Sequence, residues 1–356
     1  MSTPSPVIDV HAHVLFPQLE ALVTEKDPEG LAEHGRVDAI RHGATSQKYS
    51  GAMIRERWEL LTDLSMRLAR MEASGVDVQI VSPSPSHYYA FAQPELAREL
   101  ATMTNRLVRK YIDEVPDKFH GLGLVPLQHP DLMVEMLDDA VIGNGLLGVE
   151  IGSYAPDGQG GTIELSDKRL DAFWARAQEL DAVIFLHPFG CPLEARLDRF
   201  YLSNTVAQPA ENAVALSHLI FSGVLDRYPH LKVLAAHGGG YLPRAIGRSD
   251  RAWKMRPEAR DCVEPPSAYL GRLWFDSLVH GAGELVSLAS SVGVERIILG
   301  SDYPFDMGTE DPASEVAEAD LSTAEREAIL RTNAVSLGLR PLAAMKENTQ
   351  QTLKGR

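Results

Sequence analysis

The sequence predicts an α/β fold, a closed (β/α)8 TIM barrel with a small insertion after strand one, on three observations. Eight short apolar runs recur along the chain, helix-period segments separate them, and several runs end in histidine or aspartate. Continuous apolar runs suit strands covered on both faces, as in a parallel sheet. Strand–helix alternation repeated eight times is the arithmetic of a barrel; an open doubly wound sheet is the structural alternative.

In order, the runs are Val7–Val14, Val76–Ser84, Phe119–Leu127, Leu146–Ser153, Ala182–Pro188, Lys232–Gly239, Leu273–His280 and Ile297–Pro304. The helical segments are Glu95–Val115, His129–Ile142, Ser166–Leu180, Ala213–Arg227, Gly283–Val292 and Ser322–Leu337, with Ser166 as an N-cap candidate. The longest gap, from about 16 to 73, is charged and helical in pattern in its second half. It reads as an insertion over the barrel mouth. A single domain over 1–340 is expected, followed by a polar tail, 341–356, that frays.

Composition narrows the function. The 356 residues are 44% hydrophobic and 23% charged, enough apolar material for a large core. A net charge of −15 argues against nucleic acid or an anionic membrane as partner. Two distant cysteines, Cys191 and Cys262, make neither a disulfide framework nor a zinc finger. With no hydrophobic signal core and no bilayer-length apolar stretch, a cytoplasmic location is the expectation.

Four strand ends carry potential metal ligands. Strand one holds Asp9-Val10-His11-Ala12-His13, and residues i and i+2 of a strand share a face. Strand five ends in His187, strand six in His237 and strand eight in Asp302. In a barrel these C-terminal ends meet at one face, where active sites form. A lone histidine at a strand end is usually structural, but four such ends together point to a metal site. Three imidazoles and a carboxylate suit one divalent ion, zinc first and manganese second.

Strand four carries Glu150 and no lysine that could bridge two metals, which favours one. His280 closes strand seven, where a structural hydrogen bond is at least as good a reading as a pocket contact. Tyr88, Tyr89 and Phe91, with His87, could stack on an aromatic substrate or simply pack their loop. Gly238–Gly240 reads as backbone passing close to the metal site. Cys191 has no visible activating base and no nucleophilic role.

The wording at the strand ends resembles a known family. Val-Ile-Asp-Val-His-Ala-His (7–13), Gly-Val-Asp-Val-Gln-Ile-Val-Ser (75–82), Gly-Leu-Gly-Leu-Val-Pro-Leu-Gln (121–128), Leu-His-Pro (186–188), Ala-His-Gly-Gly-Gly (236–240) and Leu-Gly-Ser-Asp-Tyr-Pro-Phe (299–305) are similar to the aminocarboxymuconate-semialdehyde decarboxylase family of the amidohydrolase superfamily. The resemblance implies a metal held by His11, His13, His187 and Asp302. It also implies His237 as the acid/base acting on a metal-held water. Arg248 matches a family arginine that reaches a substrate carboxylate, in the namesake from the neighbouring subunit, which implies a homodimer; Arg55 or Arg57 matches a second, more loosely. The implied activity is non-oxidative decarboxylation of a small aromatic or muconate-type carboxylic acid. A hydrolase or hydratase of the same fold and a non-catalytic metal-stabilised binding protein are the rivals.

Overall fold

The computed structural model describes residues 5–341. The polar tail expected after Pro341 lies outside the described residues. Eight barrel strands follow the eight apolar runs: β1 Ile8–Val14, β2 Val78–Pro83, β3 Phe119–Gly121 continuing through Gly123–Leu124, β4 Gly148–Ile151, β5 Val183–Leu186, β6 Lys232–Ala235, β7 Trp274–Asp276 and β8 Ile297–Ile298. All neighbours pair in parallel, with Ile8 opposite Val78, Gln79 opposite Phe119, Leu124 opposite Glu150, Val149 opposite Ile184, Phe185 opposite Leu234, Phe275 opposite Ala235 and Asp276 opposite Ile298. The ring closes between β8 and β1. There Val10 N–H donates to Leu299 O at 2.9 Å and His13 N–H to Tyr303 O at 2.7 Å.

Inside the ring, Ile8, Val10, Ile80, Leu122, Phe185 and Leu234 form the filled lower core, capped by Ala334 and Leu337. Outward residues such as Ile184, Val233 and Leu299 join the larger core beneath the helices. One irregularity matters for function. Between Asp9 and Ala12, β1 advances by one residue more than β2. That bulge reverses the alternation, so Ile8 and Val10 belong to the interior core while His11 and His13, further along, also turn inward.

The insertion is helical throughout, not only in its second half: α1 Pro17–Lys26, α2 Pro28–His42, α3 Ala44–Glu56, α4 Trp58–Thr62 and α5 Leu64–Ala73. The first half escapes sequence reading because α2 buries none of its residues and so carries no apolar period. From α5, the buried Arg67 donates to Gln79 Oε1 at 3.0 Å and to the His13 carbonyl oxygen. Its guanidinium also lies 4.6 Å from the centre of the Tyr303 ring, tying insertion to barrel.

The outer helices are α6 Pro94–Glu114, α7 Pro130–Asp138, α8 Asp171–Glu179, α9 Leu202–Thr205, α10 Ala207–Phe221, α11 Val224–Arg227, α12 Leu242–Met255, α13 Ala282–Val292, α14 Pro312–Glu318, α15 Thr323–Glu327 and α16 Asn333–Leu337. Ser166 does not cap the helix before β5. That helix, α8, has no side-chain cap; Asp167 instead caps the 3-10 turn Lys168–Leu170 that leads into it, accepting from Arg169 N–H at 2.9 Å, while Ser166 Oγ bonds His218 Nδ1 at 2.8 Å. Ser322 does cap, in a reciprocal box with Glu325.

Candidate metal centre

The C-terminal ends of β1, β5, β6 and β8 bring five side chains together. One ligand atom each from His11, His187, His237 and Asp302 falls within 4.8 Å of all the others. His13 joins them: its Nε2 lies 3.1 Å from His11 Nε2 and 3.2 Å from Asp302 Oδ1. His11 Nε2 is 3.3 Å from that same oxygen. Asp302 Oδ1 and His187 Nε2 are buried and make no hydrogen bond, a costly state for polar atoms with no further partner. Buried imidazole nitrogens and a carboxylate oxygen aimed at one point are the donor set a divalent cation needs.

The backbone is bent to achieve this. His237, His280 and Asp302 end β6, β7 and β8 in the left-handed region, with φ of 54°, 57° and 56°. Such residues cost on the order of 1–3 kcal/mol each and concentrate at functional sites. Two glycines give the necessary clearance. A Cβ on Gly300 would come within 3.0 Å of His11 Cβ, and one on Gly240 within 2.1 Å of the Pro209 carbonyl. In the glycine run, the close approach at Gly240 is to the backbone of α10 at Pro209 and not to the metal site itself.

Behind the cluster lies a carboxylate that sequence reading missed. Asp276, the last residue of β7, is fully buried. Its Oδ2 meets His11 Nδ1 at 2.6 Å and accepts from His237 N–H at 2.9 Å, and its Oδ1 accepts from Gly238 N–H at 2.8 Å. At the end of an apolar Trp-Phe run it gave no pattern beyond that of a strand terminus. Asp9 does similar work one layer down, accepting from Gln79 Nε2, Ser301 N–H and Ser301 Oγ–H at 3.0, 3.0 and 2.6 Å.

The charges are mutually dependent. Burial disfavours a charged His11, but the Asp302 and Asp276 carboxylates outweigh it and raise its pKa to about 10. Burial likewise opposes the Asp302 anion, yet His11, His13 and His237 hold its carboxyl well below the usual range. Burial, with the neighbouring imidazoles, keeps His187 neutral. A metal ion must therefore displace a proton from His11. Because that proton is held up to about pH 10, metal affinity is expected to rise with pH by roughly tenfold per unit between about pH 6 and 9. Competition with a calibrated chelator at several pH values measures this slope, and a flat response contradicts it.

Other expected site residues divide. Tyr88 donates to Glu150 Oε1 at 2.7 Å and to His187 O at 2.9 Å, beneath the cluster. Glu150 Oε2 is 3.7 Å from His13 Nδ1 and has no hydrogen bond of its own. Phe91 packs on His34 and edge-on to Tyr89, so the loop-packing reading replaces substrate stacking there. His87 accepts from Phe16 N–H at 3.0 Å. Arg57 Nη1 donates to Pro304 O at 2.8 Å, anchoring the loop after Asp302, while Arg55 is exposed on α3. Arg248 is exposed on α12 and is not among the residues that wall the cavity beside His237. Burial pushes the Cys191 thiol up to about 11, consistent with no nucleophilic role. A cavity of about 280 Å³ opens from His237 and Asp302, walled by Gln208, Arg244, His280 and Leu288. His280 therefore does reach the pocket.

A closed parallel barrel with imidazoles and a carboxylate gathered at its C-terminal face defines the metal-dependent barrel enzymes. A family model described as amidohydrolase matches residues 8–337, and the chain belongs to that family. The 2-amino-3-carboxymuconate-6-semialdehyde decarboxylase of Dictyostelium discoideum is 33% identical over 340 residues, covering 94% of this chain and 92% of that protein. The gamma-resorcylate decarboxylase of Rhodococcus jostii is 29% identical, covering 78% and 88%. A dihydroxybenzoic acid decarboxylase from Polaromonas, solved with manganese and 2-nitroresorcinol, superposes with a TM-score of 0.79 at 23% identity, covering 94% and 96%. No helix among the described residues is long and apolar enough to cross a membrane.

Proposed function

We propose that this protein is a metal-dependent, non-oxidative decarboxylase of an aromatic or muconate-type carboxylic acid. The observation that carries the reading is a buried cluster whose donors sort into ligands and one spare imidazole. His11 Nδ1 is backed by Asp276, His13 Nδ1 by the Pro83 carbonyl at 3.2 Å and His187 Nδ1 by the Pro188 carbonyl at 3.1 Å. An acceptor behind Nδ1 keeps the proton there and leaves Nε2 as a lone pair for metal. On this reading His11, His13, His187 and Asp302 would hold the ion, zinc or manganese, and His237 would remain free for proton transfer. When bound there, the cation would supply positive charge against the substrate carboxylate and the negative charge left as the carbon–carbon bond breaks.

The chain's own residues do the rest. The carbon that loses carbon dioxide must gain a proton, and His237 stands beside Asp302 at the inner end of the cavity to deliver it. The left-handed turns after β6 and β8 fix both groups on the barrel scaffold. Curated relatives that match the chain are named as decarboxylases, which favours carbon dioxide release over hydrolysis. Incubating the metal-loaded enzyme with carboxyl-labelled 2,6-dihydroxybenzoate and carboxymuconate semialdehydes tests this: labelled carbon dioxide is expected, and products retaining every carbon would sink the reading.

Arg248, exposed and away from its own cavity, completes the site of a second copy in a homodimer. Arg248→Ala and His237→Ala are each expected to be inactive alone. Mixed, they should recover up to roughly a quarter of wild-type activity, since half of randomly formed dimers are mixed and each rebuilds one site. No recovery, with mixed dimers demonstrated, excludes the shared site.

A further inference from the structure

We propose that Asn212 is a positioning residue: its side-chain amide holds the His237 proton on Nε2 and so reserves this imidazole for proton delivery rather than for metal. The inference rests on the reading of His237 as the acid/base and adds the residue that fixes its tautomer.

Asn212 sits on α10 and is fully buried. Its Nδ2 faces His237 Nδ1 at 3.4 Å, and its Oδ1 has no hydrogen-bond partner. An amide nitrogen carries two hydrogens and no available lone pair, so it can only donate. His237 Nδ1 must then accept, which places the ring proton on Nε2. On that side the ring meets an acceptor, Asp302 Oδ2, at 3.8 Å. The one hydrogen bond to the ring therefore comes from Asn212, and the protonated Nε2 faces the Asp302 carboxylate as a charge contact. The reversed amide would put Oδ1 against Nδ1 and leave the Nε2 lone pair facing a carboxylate, which is repulsive.

The contrast with the other three imidazoles is chemical. Each of them has an acceptor behind Nδ1: Asp276, Pro83 O and Pro188 O. His13 Nδ1 also meets the Ser82 hydroxyl, which can either donate or accept, whereas His237 Nδ1 meets only a group that donates. Distance by itself admits His237 as a ligand, because its nitrogen belongs to the 4.8 Å group. The polarity of its Nδ1 partner argues against that role. Two further contacts keep the pair in register. Asp276 holds the His237 main-chain N–H, and Ser153 Oγ donates to Glu211 at 3.0 Å beside Asn212 on α10.

Ring nitrogen-15 NMR of zinc-loaded, histidine-labelled enzyme tests the proposal, with His237→Gln used to identify the His237 signals. Wild type is expected to show Nε2 protonated and Nδ1 bare. Asn212→Asp presents only acceptors, so Nδ1 should become protonated. kcat should fall on the order of 10²-fold with KM within about threefold. Should a buried carboxylate at 212 prevent folding, Asn212→Ala removes the donor without adding charge and should give a mixture of both ring forms with a loss of roughly tenfold in kcat. A wild-type ring protonated on Nδ1 overturns the proposal, and so do variants that leave ring pattern and kcat unchanged. If His237→Gln keeps full activity, the acid/base reading fails, while the ring spectra still decide the role of Asn212.

Discussion

Replacing Asp302 by asparagine is expected to reduce bound metal from about one per chain to under roughly a tenth, and kcat/KM by at least about 10³-fold, about 4 kcal/mol of transition-state stabilisation. The substitution keeps the shape and removes the charge. Asp302 Oδ1 is the point on which His11 Nε2 and His13 Nε2 converge, at 3.3 and 3.2 Å, and it has no hydrogen bond to lose. The neighbouring imidazoles hold the carboxyl far below its ordinary range, so at neutral pH it is a full anion. An asparagine oxygen is a weak ligand, and its amide hydrogens would meet the nitrogens of two histidines. Asp302 also stands 3.8 Å from His237 Nε2, so the change disturbs proton transfer as well. Elemental analysis and carbon dioxide release on the same sample separate the two effects. A variant that keeps both its metal and its rate would show that Asp302 is neither ligand nor participant.

The placement of Asp302 was legible because its signal was local. A buried parallel strand shows as an apolar run, and a ligand at its end shows as a polar residue where the run stops. His187, His237 and Asp302 show this signal, His11 and His13 show as an i, i+2 pair within the first run, and all five meet in the structure. What stayed hidden depended on contacts between distant elements. The bulge between Asp9 and Ala12 leaves no trace in the composition of β1, yet it turns both histidines inward. Asn212 lies within a helix whose neighbours Leu216 and Leu219 report only packing. α2 buries none of its residues and shows no apolar stripe, so it carries no helical signal. Phe91 was a candidate because aromatics after β2 could face a substrate, but its ring is taken by His34 and Tyr89. Sequence periodicity reports which face is buried; it does not report what the buried face touches.

Asp276 is the sharpest case, and its removal should be nearly as damaging as that of Asp302 although it touches no metal in the proposed site. One carboxylate holds His11 Nδ1 at 2.6 Å, the main-chain N–H of His237 at 2.9 Å and that of Gly238 at 2.8 Å. It therefore links a proposed ligand to the turn that carries the proton donor. In Asp276→Ala three amides, those of His237, Gly238 and Leu278, and the His11 Nδ1–H lose their acceptor in a fully buried place, each at a cost of about 1–3 kcal/mol. The left-handed turn at His237, with φ 54°, loses the bonds that offset its strain. Partial unfolding would blur the result, so Asp276→Asn is the informative variant. Its oxygen can still accept from the Gly238 amide, but its amide nitrogen cannot accept from His11 Nδ1. The His11 ring would then favour a proton on Nε2, the wrong tautomer for a ligand. Metal affinity is expected to fall between about 10- and 100-fold. At saturating metal, kcat should recover more fully in Asp276→Asn than in Asp302→Asn, because Asp276 acts by orienting a ligand that is still present. Equal and complete loss in both variants, with folding intact, would mean that Asp276 does more than orient His11.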